Sequence, residues 1–274
     1  MDLIVNLLIT ALVLILVYLF IVAPRMINRA DRTPFKNVHY AHRGLFDNNS
    51  DAPENSLAAF KKAVDAGYGI ELDVQLSKDE KLVVFHDATL KRMCGIDGKV
   101  WDYTLEELQQ MKLLNSNETI PTFEQFLEVV DGKVPFILEY KLDRAQTRVC
   151  ELANEVLKNY KGIYCIESFH PLALIWYRKN RPDVLRGQLC EEFFRNDTYK
   201  GKFLFMILPF MPFNFITRPD FIAYNHEHAN NISRRICLAL GGLSVCYTVK
   251  SYEEYKRAKE NKFELVIFDS FILK

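Results

Sequence analysis

Two histidines, four carboxylates and two cations fall in four short stretches of this chain: His42-Arg43-Gly44, Glu71-Leu72-Asp73, His86-Asp87 and Glu139-Tyr140-Lys141. Imidazole titrates near neutrality, so His42 and His86 suit a general base and a general acid, in either order. The planar fork of Arg43 matches phosphate oxygens, and Lys141 can neutralise charge that develops on phosphate. Glu71, Asp73 and Glu139 are hard oxygen donors. Three carboxylates cannot share a dry pocket without a cation. They predict one divalent ion, Mg²⁺ or Ca²⁺ with Mn²⁺ as a further option, completed by water and substrate oxygens. No third histidine or cysteine joins these stretches, which argues against zinc. Asn55 is placed either to cap a helix beginning at Ser56 or to touch the site as well. Asp87 can orient His86 or cap the following turn, and Glu54 is similarly open. His170, His226 and His228 belong to no such stretch and read as surface or supporting residues.

These side chains need elements to hold them. Short apolar runs suggest strands at 38–41, 69–74, 82–85, 136–140, 163–167, 184–189, 221–224, 244–248 and 265–268, with helical patterns between most of them. Leu57, Phe60 and Val64 share one face of a helix expected from about Asn55 to Gly67. Capping boxes mark three more starts, Thr104 with Glu107, Thr122 with Gln125, and Ser251 with Glu254. Repeated strand–helix units over this length predict an α/β fold, a closed (β/α)8 TIM-type barrel. An open doubly wound sheet would carry an early Gly-x-Gly-x-x-Gly turn, and the chain has none. Nine strands are one too many for a simple barrel. The stretch DVQLSKDEKLVVFHD leaves no room for a crossover helix and reads as a hairpin turning at Lys78–Asp79. That turn sets Glu71 opposite His86 and Asp73 opposite Val84, so both acids and His86 share a face. Each of the four chemical stretches then sits at a strand end, the face where barrel enzymes carry catalytic groups.

Composition narrows the class of partner. The chain has 274 residues, 49% of them hydrophobic, with 35 basic and 35 acidic side chains. A net charge of zero without a basic stripe excludes a general nucleic-acid binder. Six scattered cysteines with no Cys-x-x-Cys pair fit reduced core residues of a cytosolic domain. Leu3 to Ala23 is uncharged and apolar apart from Asn6, Thr10 and Tyr18, long enough to cross the bilayer as a helix. It lacks the basic start and the shorter apolar core of a signal peptide, and Val22-Ala23-Pro24 is a poor cleavage site, so an uncleaved single-pass anchor is expected. Arg25, Arg29 and Arg32 follow it and predict a cytoplasmic domain at the cell membrane. The expected division is an anchor over 1–23, a linker over 24–37 and a barrel over 38–274. The apolar stretch 201–221 is interrupted by Pro209 and Pro212. It reads as a buried connection or, alternatively, as a loop resting on the bilayer.

The order of motifs resembles the glycerophosphodiester phosphodiesterase family. The matching pieces are HRG at 42–44, PEN at 53–55, ELDVQLSKD at 71–79, VVFHD at 83–87, IPTFEQFL at 120–127 and EYK at 139–141, with weaker matches SF at 168–169 and YTV at 247–249. The resemblance implies a TIM barrel and metal-dependent hydrolysis of a glycerophosphodiester to sn-glycerol 3-phosphate and an alcohol. It places His42 and His86 as acid and base, Arg43, Lys141, Asn55 and Tyr247 against the substrate, and Glu71, Asp73 and Glu139 on the metal. The family often has Trp-Thr-Val where this chain has Tyr247-Thr248-Val249, which keeps an aromatic wall but alters head-group fit. Tyr140 replaces the usual isoleucine and should face away from the barrel axis. The implied partner is a small-molecule or lipid-derived phosphodiester. Action on membrane lysophospholipids and non-catalytic head-group binding are the competing readings.

Overall fold

The computed structural model describes residues 2–142, 146–195 and 203–273. Gly201 and Lys202 of the apolar stretch, and the chain-end residues of the expected anchor and barrel, lie outside the described residues.

Nine strands form one sheet: β1 (His39–His42), β2 (Gly69–Leu76), β3 (Leu82–Val84), β4 (Phe136–Tyr140), β5 (Tyr164–Ser168), β6 (Arg186–Cys190), β7 (Phe221–Asn225), β8 (Leu243–Val249) and β9 (Leu265–Phe268). They run in the order β1-β9-β8-β7-β6-β5-β4-β2, and β1 pairs again with β2. Eight parallel strands therefore close a barrel, and β3 hangs on β2 as an antiparallel hairpin outside it. The expected ninth strand is this hairpin arm. Strands buried on both faces are largely apolar, which is why Leu265–Phe268 reads as a continuous run and Phe136–Tyr140 is interrupted only by Glu139. Within each strand the period of two still sorts the side chains. Tyr40, Ile137, Cys165, Val245 and Ile267 fill the barrel interior. Ala41, Leu72, Leu138, Tyr140 and Ile166 pack outward against the helices.

The hairpin register differs from expectation by one residue. Val74 pairs with Val84, and the Phe85 N–H donates to the Asp73 carbonyl at 3.0 Å. The turn takes five residues, Ser77 to Lys81, with Glu80 at φ +56° and the Ser77 hydroxyl accepting the Lys81 N–H. The extra residue shifts the pairing, and a one-residue slip exchanges the faces. Asp73 thus lies opposite Phe85, and His86 falls beyond the strand in a loop.

An N-terminal helix, α1 (Asp2–Val22), precedes the barrel. The helices around the barrel are α2 (Leu57–Asp65), α3 (Lys91–Cys94), α4 (Leu105–Leu108), α5 (Phe123–Val130), α6 (Arg148–Leu157), α7 (Pro171–Asn180), α8 (Phe203–Ile207), α9 (Asn214–Thr217), α10 (Ile232–Ala239) and α11 (Tyr252–Glu260). Ser56 caps α2 by accepting the Ala59 N–H, so Asn55 is freed from that task. Both boxes at Thr104/Glu107 and Thr122/Gln125 close. At α11 only half a box forms, because Glu254 accepts the Lys250 N–H rather than that of Ser251. Residues 86–122 carry α3, α4 and their own apolar cluster around Val83, Met93, Leu108 and Ile120. All six cysteines are free thiols, five of them buried.

In α1, Leu3–Val22 is a run of 20 residues with a mean hydropathy of 2.9, long and apolar enough to cross a membrane. The Thr10 hydroxyl donates to the Asn6 carbonyl, so its polar group is satisfied within the helix. Segment 24–37 lies on the N-terminal face of the barrel. Arg25 donates to the Pro182 carbonyl, Arg29 to that of Leu240 and Arg32 to that of Gly241, each at 2.8 Å.

Candidate active site

The site is built at the C-terminal ends of β1, β2, β4 and β5. Glu71 and Asp73 are two apart on β2 and both point into the barrel. Register places Glu139 of β4 beside Asp73, and Glu167 of β5 beside Glu139. Carboxylate oxygens of Glu71, Asp73 and Glu139 lie within 4.8 Å of one another, and all three residues are buried. Burying one unpaired carboxylate costs several kcal/mol, so such a cluster persists only with compensating charge. Lys141 supplies part of it, with Nζ 3.0 Å from Asp73 Oδ1 and 2.6 Å from Glu139 Oε1. Arg43 adds its Nε at 3.6 Å from Asp73 Oδ2 and a backbone N–H donated to Glu71 Oε2 at 3.2 Å.

The carboxylates are not equivalent. Burial, then the charges of Asp73 and Glu139, push Glu71 well above the usual carboxylate range. Burial also raises Glu139, partly offset by Lys141. Burial works on Asp73 in the same direction, but Lys141, His86 and Arg43 outweigh it and hold Asp73 below the usual range. The three acids outnumber the two cations beside them, and their oxygens stand close enough together that they could hold a metal ion.

The loop after β1 explains the His-Arg-Gly sequence. Arg43 sits at φ +54° and Gly44 at φ +84°. A Cβ on Gly44 would stand 2.9 Å from the Ala59 carbonyl carbon, so glycine lets α2 approach the loop. Asn55, at φ +58°, donates its N–H to the Arg43 carbonyl and its side-chain amide to Asp73 Oδ2 at 2.8 Å. Its Oδ1 is buried and has no partner among the described residues.

Each histidine is held by an acid. His42 Nδ1 lies 2.9 Å from Asp269 Oδ2, and its Nε2 lies 3.9 Å from Glu71 Oε2. With a carboxylate accepting at Nδ1, the proton belongs there and Nε2 faces the cluster with a lone pair. Burial, reinforced by Arg43, pushes His42 down to about 4, against the opposing pull of Asp269. His86 Nδ1 lies 2.7 Å from Asp87 Oδ1. Gln75 fixes that loop by donating to the carbonyls of Phe85 and Asp87, both at 2.8 Å. Arg92 grips Asp87 Oδ2 at 2.7 Å and makes two further 2.7 Å bonds to Glu54. Glu54 in turn receives Arg43 Nη1 at 2.6 Å. Burial works to raise Glu54, but Arg92, Arg43 and Asn48 together lower it to about 2. An ionic chain thus ties the His86 loop to the His42–Arg43 loop.

Tyr247 lies on the far side of the barrel. Its hydroxyl donates to the Cys190 carbonyl at 2.9 Å, and its ring meets Phe169 edge-on at 6.1 Å. The Tyr247–Thr248 peptide is cis. Tyr140 points outward to a hydroxyl contact with Tyr177 at 2.6 Å, as its position in the strand demands. A cleft of about 650 Å³ is lined by Gly44 and Asp269 among others, and a smaller one of about 160 Å³ by Gln75 and Lys141; the three acids line neither.

Three supporting residues escaped the sequence reading. Asp269 directly follows β9 and Glu167 lies near the end of β5, so the strand-end rule applied to them as well. Glu167 is buried, is pushed well above the carboxylate range by burial and then Glu139, and leaves Oε2 without a partner among the described residues. Arg92 had no local signal; only the folded insertion brings it to Glu54.

The family model of the glycerophosphoryl diester phosphodiesterase family matches residues 42–273. A glycerophosphodiester phosphodiesterase of Bacillus altitudinis is 35% identical over 157 residues, which cover 53% of this chain and 63% of that protein. The match thus spans just under two thirds of that relative's length. One of Caldanaerobacter subterraneus is 33% identical over 168 residues, covering 57% of this chain and 68% of that protein. Among solved structures, an Oleispira antarctica phosphodiesterase in complex with the product sn-glycerol-3-phosphate superposes with a TM-score of 0.69. That match covers 85% of this chain and 93% of the other at 23% identity, a likeness of fold.

Proposed function

The chain belongs to the glycerophosphoryl diester phosphodiesterase family, and from that membership and the geometry of the site we propose that it hydrolyses glycerophosphodiesters to sn-glycerol 3-phosphate and an alcohol. The observation that carries this is the convergence of Glu71, Asp73 and Glu139 within 4.8 Å, beside Arg43 and Lys141 and between two acid-held histidines.

Glu71, Asp73 and Glu139 would hold one divalent cation, Mg²⁺ or Ca²⁺, with Mn²⁺ able to substitute. The residues fit such an ion. Burial and their neighbours' charge push two of the acids up, a penalty a cation would relieve, and Asn55 Oδ1, buried without a partner among the described residues, adds a neutral oxygen donor nearby. When bound, the ion supplies Lewis-acid polarisation of a phosphoryl oxygen. Arg43 and Lys141 bind the remaining phosphate oxygens, exchanging part of their carboxylate contacts for the substrate. Asn55 orients the diester, and Tyr247 with Phe169 forms the apolar wall for the glycerol or the leaving group.

His42 is the general base. Its Nε2 takes the proton of the attacking hydroxyl as the new P–O bond forms, either from water directly or from the substrate's 2-hydroxyl, in which case water opens the resulting cyclic phosphate in a second step to give sn-glycerol 3-phosphate. His86 is the general acid and gives a proton to the alcohol oxygen as the old P–O bond breaks. Residues 1–23 anchor the chain, 24–37 fasten the anchor to the barrel, and 38–274 carry the chemistry on the cytoplasmic side of the cell membrane.

The test is product analysis with full-length protein, a soluble glycerophosphodiester and a divalent ion. The expected products are sn-glycerol 3-phosphate and the free alcohol. His42→Ala and His86→Ala should each lower kcat by about 10²–10⁴-fold with the fold intact. Binding of the diester without any turnover, or unchanged kcat in both variants, would refute the assignment.

A further inference from the structure

The way α1 meets the barrel fixes which face looks at the membrane. Helix α10 starts after the C-terminal end of β7 and ends before β8, so it runs from the C-terminal face to the N-terminal face of the barrel. Tyr18 Oη lies 2.6 Å from Ser233 Oγ in the first turn of α10, and the Val22 carbonyl accepts from Cys237 Sγ one turn further down. The two helices therefore run side by side in the same direction. Asn214 and Arg218, donating to the Val22 and Phe20 carbonyls, complete the grip. Every residue from Leu3 to Val17 is exposed. That free part of α1, unbroken by glycine or proline, projects past the C-terminal face, the face that holds the candidate site.

The same flank of the rim is apolar. Phe203, Met206 and Phe210 are 76%, 50% and 41% exposed, and Ile232 is 50% exposed. The turn Leu208–Phe210 packs on α10, the helix against which α1 lies. The opposite rim, Asp47 to Asp51, is polar. The free part of α1 covers about 22 Å at helical rise, short of the roughly 30 Å of a hydrocarbon core. Spanning it draws the Tyr18–Val22 turn, and the rim beside it, about 8 Å inward. That is the depth at which apolar side chains of interfacial elements sit.

We infer that the C-terminal face of the barrel is its membrane-docking surface, with Phe203, Met206 and Phe210 set in the bilayer interface and the catalytic mouth open to the lipid headgroup layer. Resting on the phosphodiesterase reading, this opens the site to phosphodiesters carried by lipids in that layer, whose cleavage would leave the phosphate monoester on the lipid and free the head-group alcohol. The charged N-terminal face, with Arg25, Arg29 and Arg32, points away from the bilayer.

Depth measurement tests this without requiring turnover. Nitroxide labels are placed on Phe203→Cys at the rim and on Ile27→Cys, 77% exposed on the N-terminal face, in the full chain with Cys94→Ser. The other five native thiols are buried and stay unlabelled. Both sites are exposed, and an unchanged melting temperature confirms folding. The protein is reconstituted in phosphatidylethanolamine/phosphatidylglycerol vesicles, and collision with oxygen is compared with collision with a water-soluble nickel chelate. The expected result is a label at 203 that favours oxygen and a label at 27 that favours nickel. Any other pattern, including two aqueous labels or a reversed pair, overturns the docking surface. Failure to hydrolyse both a soluble glycerophosphodiester and a lysophospholipid would instead sink the enzymatic reading and leave the depth result standing.

Discussion

Glu71, Asp73 and Glu139 were readable because ionised groups avoid strand interiors unless something compensates them, and strand alternation puts Glu71 and Asp73 on one face. What could not be read was the support. Asp269 reaches His42 across the closure of the barrel, between chain positions 227 residues apart. Its role is testable: Asp269→Asn leaves a hydrogen-bonding partner but no charge, and it no longer fixes the His42 tautomer. The expected outcome is a fall in kcat of about 10²-fold with little change in KM, measured by steady-state kinetics on a soluble diester. Glu54 makes a prediction about stability. Its folded pKa, about 2, lies below its ordinary value of 4.5. The unfolded chain thus takes up the proton first as pH falls. The contribution of Glu54 is complete above about 4.5 and is lost as pH drops through about 2. It is worth at most roughly 3 kcal/mol. Denaturant unfolding of Glu54→Gln between these pH values should show a shallower pH dependence than the parent.

At the scale of elements, the nine strands were legible because each is a compact, mostly apolar run, and two of the three capping boxes because their spacing is local. The β2–β3 register was not. It depends on whether the turn uses four or five residues, and the left-handed Glu80 that decides this carries no glycine to announce it. The same hairpin places His86 through Gln75 rather than through strand pairing, a tertiary contact invisible to periodicity. Helix α5 shows the opposite case, an element read correctly from its own residues. Its Phe126 is fully buried, with ring centroids 4.8 Å from Phe60 and 5.1 Å from Phe136. Phe126→Ala should destabilise the protein by about 3–5 kcal/mol, from lost transfer energy plus the cavity left behind. Chemical denaturation would show this as a lower midpoint with an unchanged slope, while kcat of the folded fraction stays near the parent value.

On the scale of the whole molecule, barrel closure does what no single segment can: it turns four distant stretches into one pocket of opposed charges. The central claim is that Glu71, Asp73 and Glu139 together hold a divalent ion on which hydrolysis depends. It is met most directly by titrating Mg²⁺, Ca²⁺ and Mn²⁺ into chelator-stripped full-length protein by calorimetry, with product release followed on the same samples. The prediction is one ion bound per chain by at least one of these metals, with turnover rising in step with occupancy. Both should be lost in Glu139→Gln. Full release of sn-glycerol 3-phosphate by the stripped protein, or undiminished ion binding in that variant, would contradict it.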